Sequence, residues 1–277
     1  MKGNLYTIGE ISKICGIKQS KLRYYDEIGV IKPYHVDENT GYRYYSNETL
    51  RDIPVLHYYQ TMGFSLKEIP ALLEREDLSY LDSLFSNRID ETREHIKEEC
   101  MIMDSIASWQ DLITETKNVL QWEACPVTVK YFPQSEYYLV HPDIFPGMCY
   151  DNLLINTTIC SSLLVEGTYT LGALFIAYPD GERNHWEDIS LFIKNHPDAK
   201  HAMETSLVGG FSAVTCYHRG SFDSVGETVA KMKSWAKKHQ FTLRGDLIER
   251  SVIDCWSIKN TDWWLMEIFL PIVEKDL

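Results

Sequence analysis

Two arginine–tyrosine–tyrosine groups, Arg23-Tyr24-Tyr25 and Arg43-Tyr44-Tyr45, flank the turn-rich stretch Asp37-Glu38-Asn39-Thr40-Gly41. A guanidinium beside phenols suits a polyanion: the cation neutralises phosphate, and a tyrosine hydroxyl donates to it while the ring rests on sugar. Lys13, Lys18, Lys21, Arg23 and Lys32 fall together against only two acids, Asp26 and Glu27. The net charge of −13 comes wholly from the rest of the chain, because the first 76 residues hold ten basic and ten acidic side chains. A phosphate senses the local field, so the acidic total does not exclude nucleic acid. Lys18, Gln19, Ser20, Lys21, Arg23, Tyr24 and Tyr25, with Tyr42 and Arg43, are the candidate DNA-contacting residues. Tyr44 and Tyr45 are expected mainly to pack.

A second chemistry lies in the C-terminal half. Ring faces together with a carboxylate hold a lipophilic cation. Tyr150, Tyr178, Tyr217, Trp256 and Trp263, with Phe222, are the candidate aromatic wall, although each would serve equally as core. Glu267 is expected to share a strand face with Trp263, Leu265 and Phe269, whereas Glu249 alternates with Leu247, Ser251 and Ile253. A buried carboxylate without a partner is costly, so a cationic ligand would stabilise it.

Other chemistries find less support. The seven cysteines are scattered without a C-x-x-C, and the histidines supply no ligand spacing, so neither a metal, an iron–sulfur cofactor nor a disulfide framework is expected. No catalytic residue is assigned, since Ser/Cys–His pairing and G-x-S-x-G are both missing. The one enzymatic alternative is ester hydrolysis, with Glu249 as base and Tyr217 as orienting group. A purely protein-interaction role for the C-terminal region would require an exposed apolar surface instead. No apolar run reaches the length of a membrane span, and a reducing cytoplasm is the expected compartment.

Three kinds of element must position these groups. Thr7 and Glu10 have capping-box spacing ahead of Ile8, Ile11 and Ile14, and Gly16 breaks this helix from a second one over about Lys18–Asp26. That is a helix-turn-helix pattern, followed by a hairpin at Asp37–Gly41 and by helices capped near Ser46 and Ser65. From Leu78 to Asn118 there is neither glycine nor proline. Apolar positions recur at heptad spacing through Ile89, Ile96 and Met103, and through Ile106 and Ile113, predicting one helix roughly 60 Å long. Such a helix has little to bury against in a small head, so it is read as a homodimerisation arm. Beyond Trp122 the texture turns to strands, in "VTVKYF", "EYYLVH", "TLGALFIAY", "FSAVTCYH", "DLIERSVIDCW" and "WWLMEIFLPI". Helices are expected at about Cys149–Leu164 and Ser224–His239, which makes an internally duplicated strand-helix-strand pattern. The fold class is α+β, with a winged helix-turn-helix at 1–76, a coiled-coil dimerisation helix at 77–120 and an effector-binding domain at 121–277.

The motifs "YTIGEISKICGIKQSKLRYYDEIGVIKP", "GYRYYS" and "MGFSLKEI" occur in that order, and together they resemble the winged-helix head of the MerR family of bacterial transcription regulators. "YHRGSFDSVGETVAKMKSWAKKHQF" and "LPI" resemble the gyrase-inhibitory-like effector domain of its multidrug-sensing, BmrR-like branch. The resemblance implies a dimer whose two long helices pair antiparallel, bound to double-stranded promoter DNA across an over-long spacer. An effector would make it distort the spacer so that RNA polymerase engages both promoter elements, as in an activator. It matches Arg23, Tyr24, Tyr25 and Arg43 to DNA contacts and Glu249 to the buried acid of a lipophilic-cation site. The family often has Lys or Arg where this chain has Gln60, which removes one expected phosphate grip.

Overall fold

The computed structural model describes residues 5–73, 77–140, 169–183, 189–199, 204–255 and 257–273. The chain divides into two compact units, Met1–His95 and Ile96–Leu277.

The first unit opens with β1 (Tyr6–Thr7), α1 (Ile8–Cys15) and α2 (Gln19–Glu27), followed by β2 (His35–Val36), β3 (Arg43–Tyr45), α3 (Asn47–Thr61) and α4 (Ile69–Leu73). The capping box forms: the Thr7 hydroxyl accepts from the Glu10 amide, and the Glu10 carboxylate accepts from the Thr7 amide at 2.8 Å. Gly16 ends α1 at φ 69°, a left-handed backbone that glycine adopts without penalty. In the hairpin, the Asp37 carboxylate accepts from the amides of Asn39 and Thr40, and the strands pair in the order β1-β3-β2. Ile11, Leu22, Tyr25, Tyr45, Ile53, Leu56 and Ile69 are fully buried and make the core.

The long helix, α5 (Leu78–Leu120), is present as one element. Its first turns are not idle, contrary to expectation. Leu81, Leu84 and Phe85 pack onto the head core, with Phe85 edge-on to Phe64 at 5.4 Å.

The second unit pairs the rest of α5 with β4 (Thr128–Phe132), β5 (Ser135–Val140), β6 (Thr170–Tyr178), β7 (Ser190–Asn195), β8 (Thr205–Val208), β9 (Phe211–Arg219), α6 (Val225–Lys238), β10 (Leu247–Ile253) and β11 (Leu265–Pro271). The described strands form one eight-stranded antiparallel sheet in the order β4-β9-β11-β10-β6-β7-β5-β8. Its centre has an internal symmetry. β9-β11-β10 and β6-β7-β5 are mirror-ordered triplets that meet where β10 pairs with β6. Such an order fits the duplication expected from sequence. β7 and β8 were not anticipated, because "SLFIKN" and "TSLV" are short and Leu207 of β8 is exposed. The helix expected at 149–164 lies outside the described residues.

The sheet has two unlike faces. α6 covers one, burying Val225, Val229, Met232 and Ala236 against Val214, Cys216, Met266, Ile268 and Leu270. On the other, Leu112 and Val119 of α5 pack with Ala173, Val252 and Leu265. Polar ties run along α5: Asp104 contacts His196 at 3.1 Å, and the Ser108 hydroxyl accepts from the Gly172 amide at 3.0 Å. The Arg219 guanidinium donates to the carbonyls of Val119 and Trp122. The C-terminal half of the helix is therefore an integral wall of this unit. Ile89, Ile96, Met103, Ile106 and Ile113 remain exposed along it.

Candidate functional sites: an exposed helix–hairpin surface and two buried carboxylates

In the head, α2 has two distinct sides. Leu22 and Tyr25 are fully buried, while Lys18, Gln19, Ser20, Arg23 and Tyr24 are exposed and Lys21 is half-buried. Of Arg23, Tyr24 and Tyr25, all three expected at DNA, only the first two are exposed. Tyr25 lies one residue around the helix from Tyr24, on the core side, and its hydroxyl donates to Gln60 Oε1 at 2.5 Å. Gln60, where a cation was looked for, is the acceptor that fixes this ring. In the hairpin, Tyr42 and Arg43 are exposed, Tyr44 stacks on His35, and Tyr45 is core. Arg43 is not free, because its Nε lies 3.2 Å from the nearly buried Asp26 carboxylate. The pair ties the hairpin to the end of α2 and leaves the outer part of the guanidinium, 55% exposed with its side chain, facing water.

The two candidate acids lie on opposite faces of the C-terminal sheet. Glu249 pairs with Ile268 across β10 and β11, on the face covered by α6, and has no exposure. The Tyr178 hydroxyl donates to Glu249 Oε2 at 3.2 Å, and Arg183 Nε approaches Oε1 at 2.6 Å. The Arg183 guanidinium also lies 5.7 Å from the centre of the Tyr178 ring and donates to the Phe222 carbonyl. Phe222 is buried and stacks on Trp264 at 4.7 Å. The expected picture of a carboxylate awaiting a ligand is corrected, since this acid already has a cation.

Burial pushes the Glu249 carboxyl up to about 7, with Arg183 and Tyr178 pulling it back towards the charged form. A carboxyl raised from its ordinary 4.5 binds its proton more tightly when folded, so its contribution to stability is lost as pH rises from about 4.5 through about 7. Nearby His218 has the opposite sign. Burial lowers it, so its contribution grows as pH rises towards its ordinary value. Unfolding curves of the wild type and Glu249→Gln isolate the carboxyl. We expect the variant to lose a downward slope of up to about 1.4 kcal/mol per pH unit. Parallel curves for the two proteins across that window would rule out a raised Glu249.

Glu267 faces α5. It is almost fully buried and is held by Lys130 Nζ at 2.9 Å, Arg250 Nε at 3.0 Å and the Thr215 hydroxyl at 3.4 Å. Arg250 also donates to Glu115 of α5, which accepts from the Tyr217 hydroxyl at 2.6 Å. Glu267 is therefore paired with two cations. Trp263 does not join it: this indole lies in a 3-10 turn (Thr261–Trp263) ahead of β11 and is 48% exposed, whereas Trp264 is the buried one. Tyr217 stands opposite Glu267 in the β9–β11 register, on the face away from Glu249. The acid–tyrosine pair weighed for ester hydrolysis is accordingly split by the sheet.

Tyr150 and Trp256 lie outside the described residues. A cleft of about 320 Å³ lined by Phe192, Phe211, Ile248 and Arg244 contains neither acid. Among the described residues no group of three or more His, Cys, Asp or Glu side chains could hold a metal.

Sequence reading missed Arg183, Arg250, Glu115 and Lys130. For Arg250 a signal existed, a lone arginine inside the apolar strand "LIERSVI". Arg183, in a polar loop, carried none.

Two family models match. Residues 6–76 fit the MerR helix-turn-helix family of regulatory proteins, and residues 168–273 fit the GyrI-like small-molecule-binding domain. The first match falls on the head and the second on most of the C-terminal unit, each covering less than half of the chain. Among curated relatives it is 28% identical over 134 residues to the multidrug-efflux transporter 2 regulator of Bacillus subtilis (strain 168), covering 48% of each chain. It is 31% identical over 113 residues to the multidrug-efflux transporter 1 regulator of the same organism, covering 41% of this chain and 39% of that one. The matched stretch thus spans less than half of each relative. Among solved structures, the chain of the EcmrR–DNA complex is 20% identical, with 98% of this chain and 100% of that one covered at a TM-score of 0.46. No helix among the described residues is long and apolar enough to cross a membrane.

Proposed function

We propose that this MerR-type chain is a cytoplasmic transcription regulator that binds double-stranded promoter DNA as a homodimer and answers to a lipophilic small molecule. The observation that carries the DNA reading is the two-sided α2, with Leu22 and Tyr25 in the core while Lys18, Gln19, Ser20, Arg23 and Tyr24 face outward. Short polar and basic side chains at the start of an exposed helix suit the major groove, and Tyr42 and the outer part of Arg43 suit the flanking phosphates. The exposed apolar stripe on α5 is the surface on which a second copy would pair antiparallel. Activation by distortion of an over-long spacer, for the benefit of RNA polymerase, completes the reading.

The effector is read as a lipophilic cation because Glu249, Tyr178 and Arg183 combine a carboxylate, a ring face and a cation position. Relatives named as multidrug-efflux transporter regulators support a promiscuous lipophilic ligand.

Arg43→Ala tests the DNA half of this proposal. The variant should bind operator DNA more weakly for every sequence, with the slope of log affinity against log salt reduced by about one. Binding that keeps the wild-type salt slope would remove Arg43 from the phosphate contacts and return the hairpin to a structural role.

A further inference from the structure

Arg183 and Arg250 both neutralise a buried glutamate, but they are built differently. Arg250 belongs to a strand and grips two carboxylates through Nε and a terminal nitrogen. Arg183 follows the turn Pro179–Gly181, in which Asp180 and Gly181 both have positive φ, so it is carried by a connection and not by the sheet. Its Nε lies 2.6 Å from Glu249 Oε1, yet the N–H is not aimed at that oxygen, and neither atom has a further hydrogen-bond partner among the described residues. This contact is one of charge against charge. It lacks the two-pronged fork that makes arginine–carboxylate pairs hard to separate. A part of the Arg183 side chain, 18%, reaches solvent, whereas Glu249 has no exposure at all.

The surroundings of this guanidinium are those a lipophilic cation would choose. A buried carboxylate stands on one side, the Tyr178 ring lies 5.7 Å away on another, and the Phe222 carbonyl accepts one N–H. Phe222 and Trp264 continue the aromatic lining as a stacked pair. A carboxylate, a ring face and a carbonyl that could hold an organic cation are present and already used by the chain itself.

We infer that Arg183 is an internal occupant of the cation position beside Glu249, and that it sets the specificity of the site by demanding that a ligand displace it. The inference rests on the proposed small-molecule reading and narrows it. The ligands that succeed are aromatic monocations with delocalised charge, which keep the carboxylate neutralised while burying more apolar surface than the guanidinium does. Small or strongly hydrated cations fail, because they offer Glu249 nothing that Arg183 does not already supply. Displacement also removes the hydrogen bond to the Phe222 carbonyl, in the turn that leads into α6. Entry of the ligand is thereby felt at the start of that helix.

The test is calorimetry on the full chain with three probes: tetraphenylphosphonium, neutral triphenylphosphine oxide and n-propylguanidinium. Arg183→Ala should bind tetraphenylphosphonium at least about tenfold more tightly than the wild type and leave the neutral compound unchanged. It should also gain binding of n-propylguanidinium, which restores the missing group, while Arg183→Ala/Glu249→Gln should bind neither cation. Because Arg183→Ala strands a buried carboxylate, Arg183→Gln is measured beside it, with circular dichroism confirming that each variant folds.

If n-propylguanidinium enters neither Arg183→Ala nor Arg183→Gln, the internal-occupant inference is overturned, whatever tetraphenylphosphonium does. If n-propylguanidinium enters the variants but tetraphenylphosphonium binds no form of the protein, the occupied niche stands and the cationic-effector reading falls. An equal gain for the neutral compound would show that removing Arg183 merely opened space, and would also overturn the inference.

Discussion

Arg250→Met lowers the stability of the C-terminal unit by about 3–5 kcal/mol and its unfolding midpoint by on the order of 10 °C. The size of this effect comes from what the substitution leaves behind. Arg250 joins Glu267, almost fully buried, to Glu115 of α5, and the Tyr217 hydroxyl and Lys130 complete the cluster. Removing the guanidinium leaves Glu267 with the Thr215 hydroxyl and one cation, Lys130, which reaches it from a half-exposed position. It also releases Glu115 and with it one anchor of α5 on the sheet. Thermal unfolding followed by circular dichroism checks the result. Arg250→Met/Glu267→Met should recover much of the loss, because exchanging a buried ion pair for apolar side chains of similar volume is often neutral or stabilising. A single variant as stable as the wild type would mean that the cluster is solvated and contributes little.

The second large effect is on assembly. Substituting Met103 and Ile106 of α5 with glutamate should convert the proposed homodimer to a monomer in sedimentation velocity and weaken operator binding at least about 100-fold, since two half-sites then bind independently. Both side chains are more than half exposed on the isolated chain, so neither unit loses core packing and the far-ultraviolet spectrum should be unchanged. Such a stripe on a helix whose other side is packed suits a partner surface. A double variant that still sediments as a dimer would move the interface away from α5.

What could be read ahead of the structure follows from how local each signal is. The capping box at Thr7, the Asp37 turn and the cap at Ser46 are decided by residues within four positions of one another, and all formed in place. α5 was equally legible, because a stretch without glycine or proline and with an imperfect apolar heptad needs no distant partner to be seen. Tyr25 was misplaced because its neighbours share its chemistry: "RYY" does not say which ring turns inward, and only packing against Ile53 and Leu56 decides.

The carboxylates failed for a related reason. Alternation put Glu249 and Glu267 on definite strand faces, but their partners Arg183, Arg250 and Lys130 come from other elements, Lys130 lying 137 residues from Glu267 in the chain. Glu249, vacant when read from its own strand, is neutralised from the connection after Pro179–Gly181. Trp263 was assigned to β11 by continuing an alternation past the strand's true start at Leu265, where a 3-10 turn resets the direction of the side chains.

The 43 residues of α5 are shared between two folds, with Leu81, Leu84 and Phe85 locked into one core and Leu112 and Val119 into another. Inheritance is constrained by that sharing. A recombination that joined this effector-binding region to a different head just after the helix would discard Asp104, Ser108, Glu115 and the carbonyls that hold Arg219, and would pass on a sheet with one wall missing. The piece that can be handed on whole begins inside the helix, near residue 96, where the two compact units divide. Splicing helix to helix in heptad register keeps both cores whole, whereas a break placed at the end of the helix parts the sheet from Leu112 and Val119.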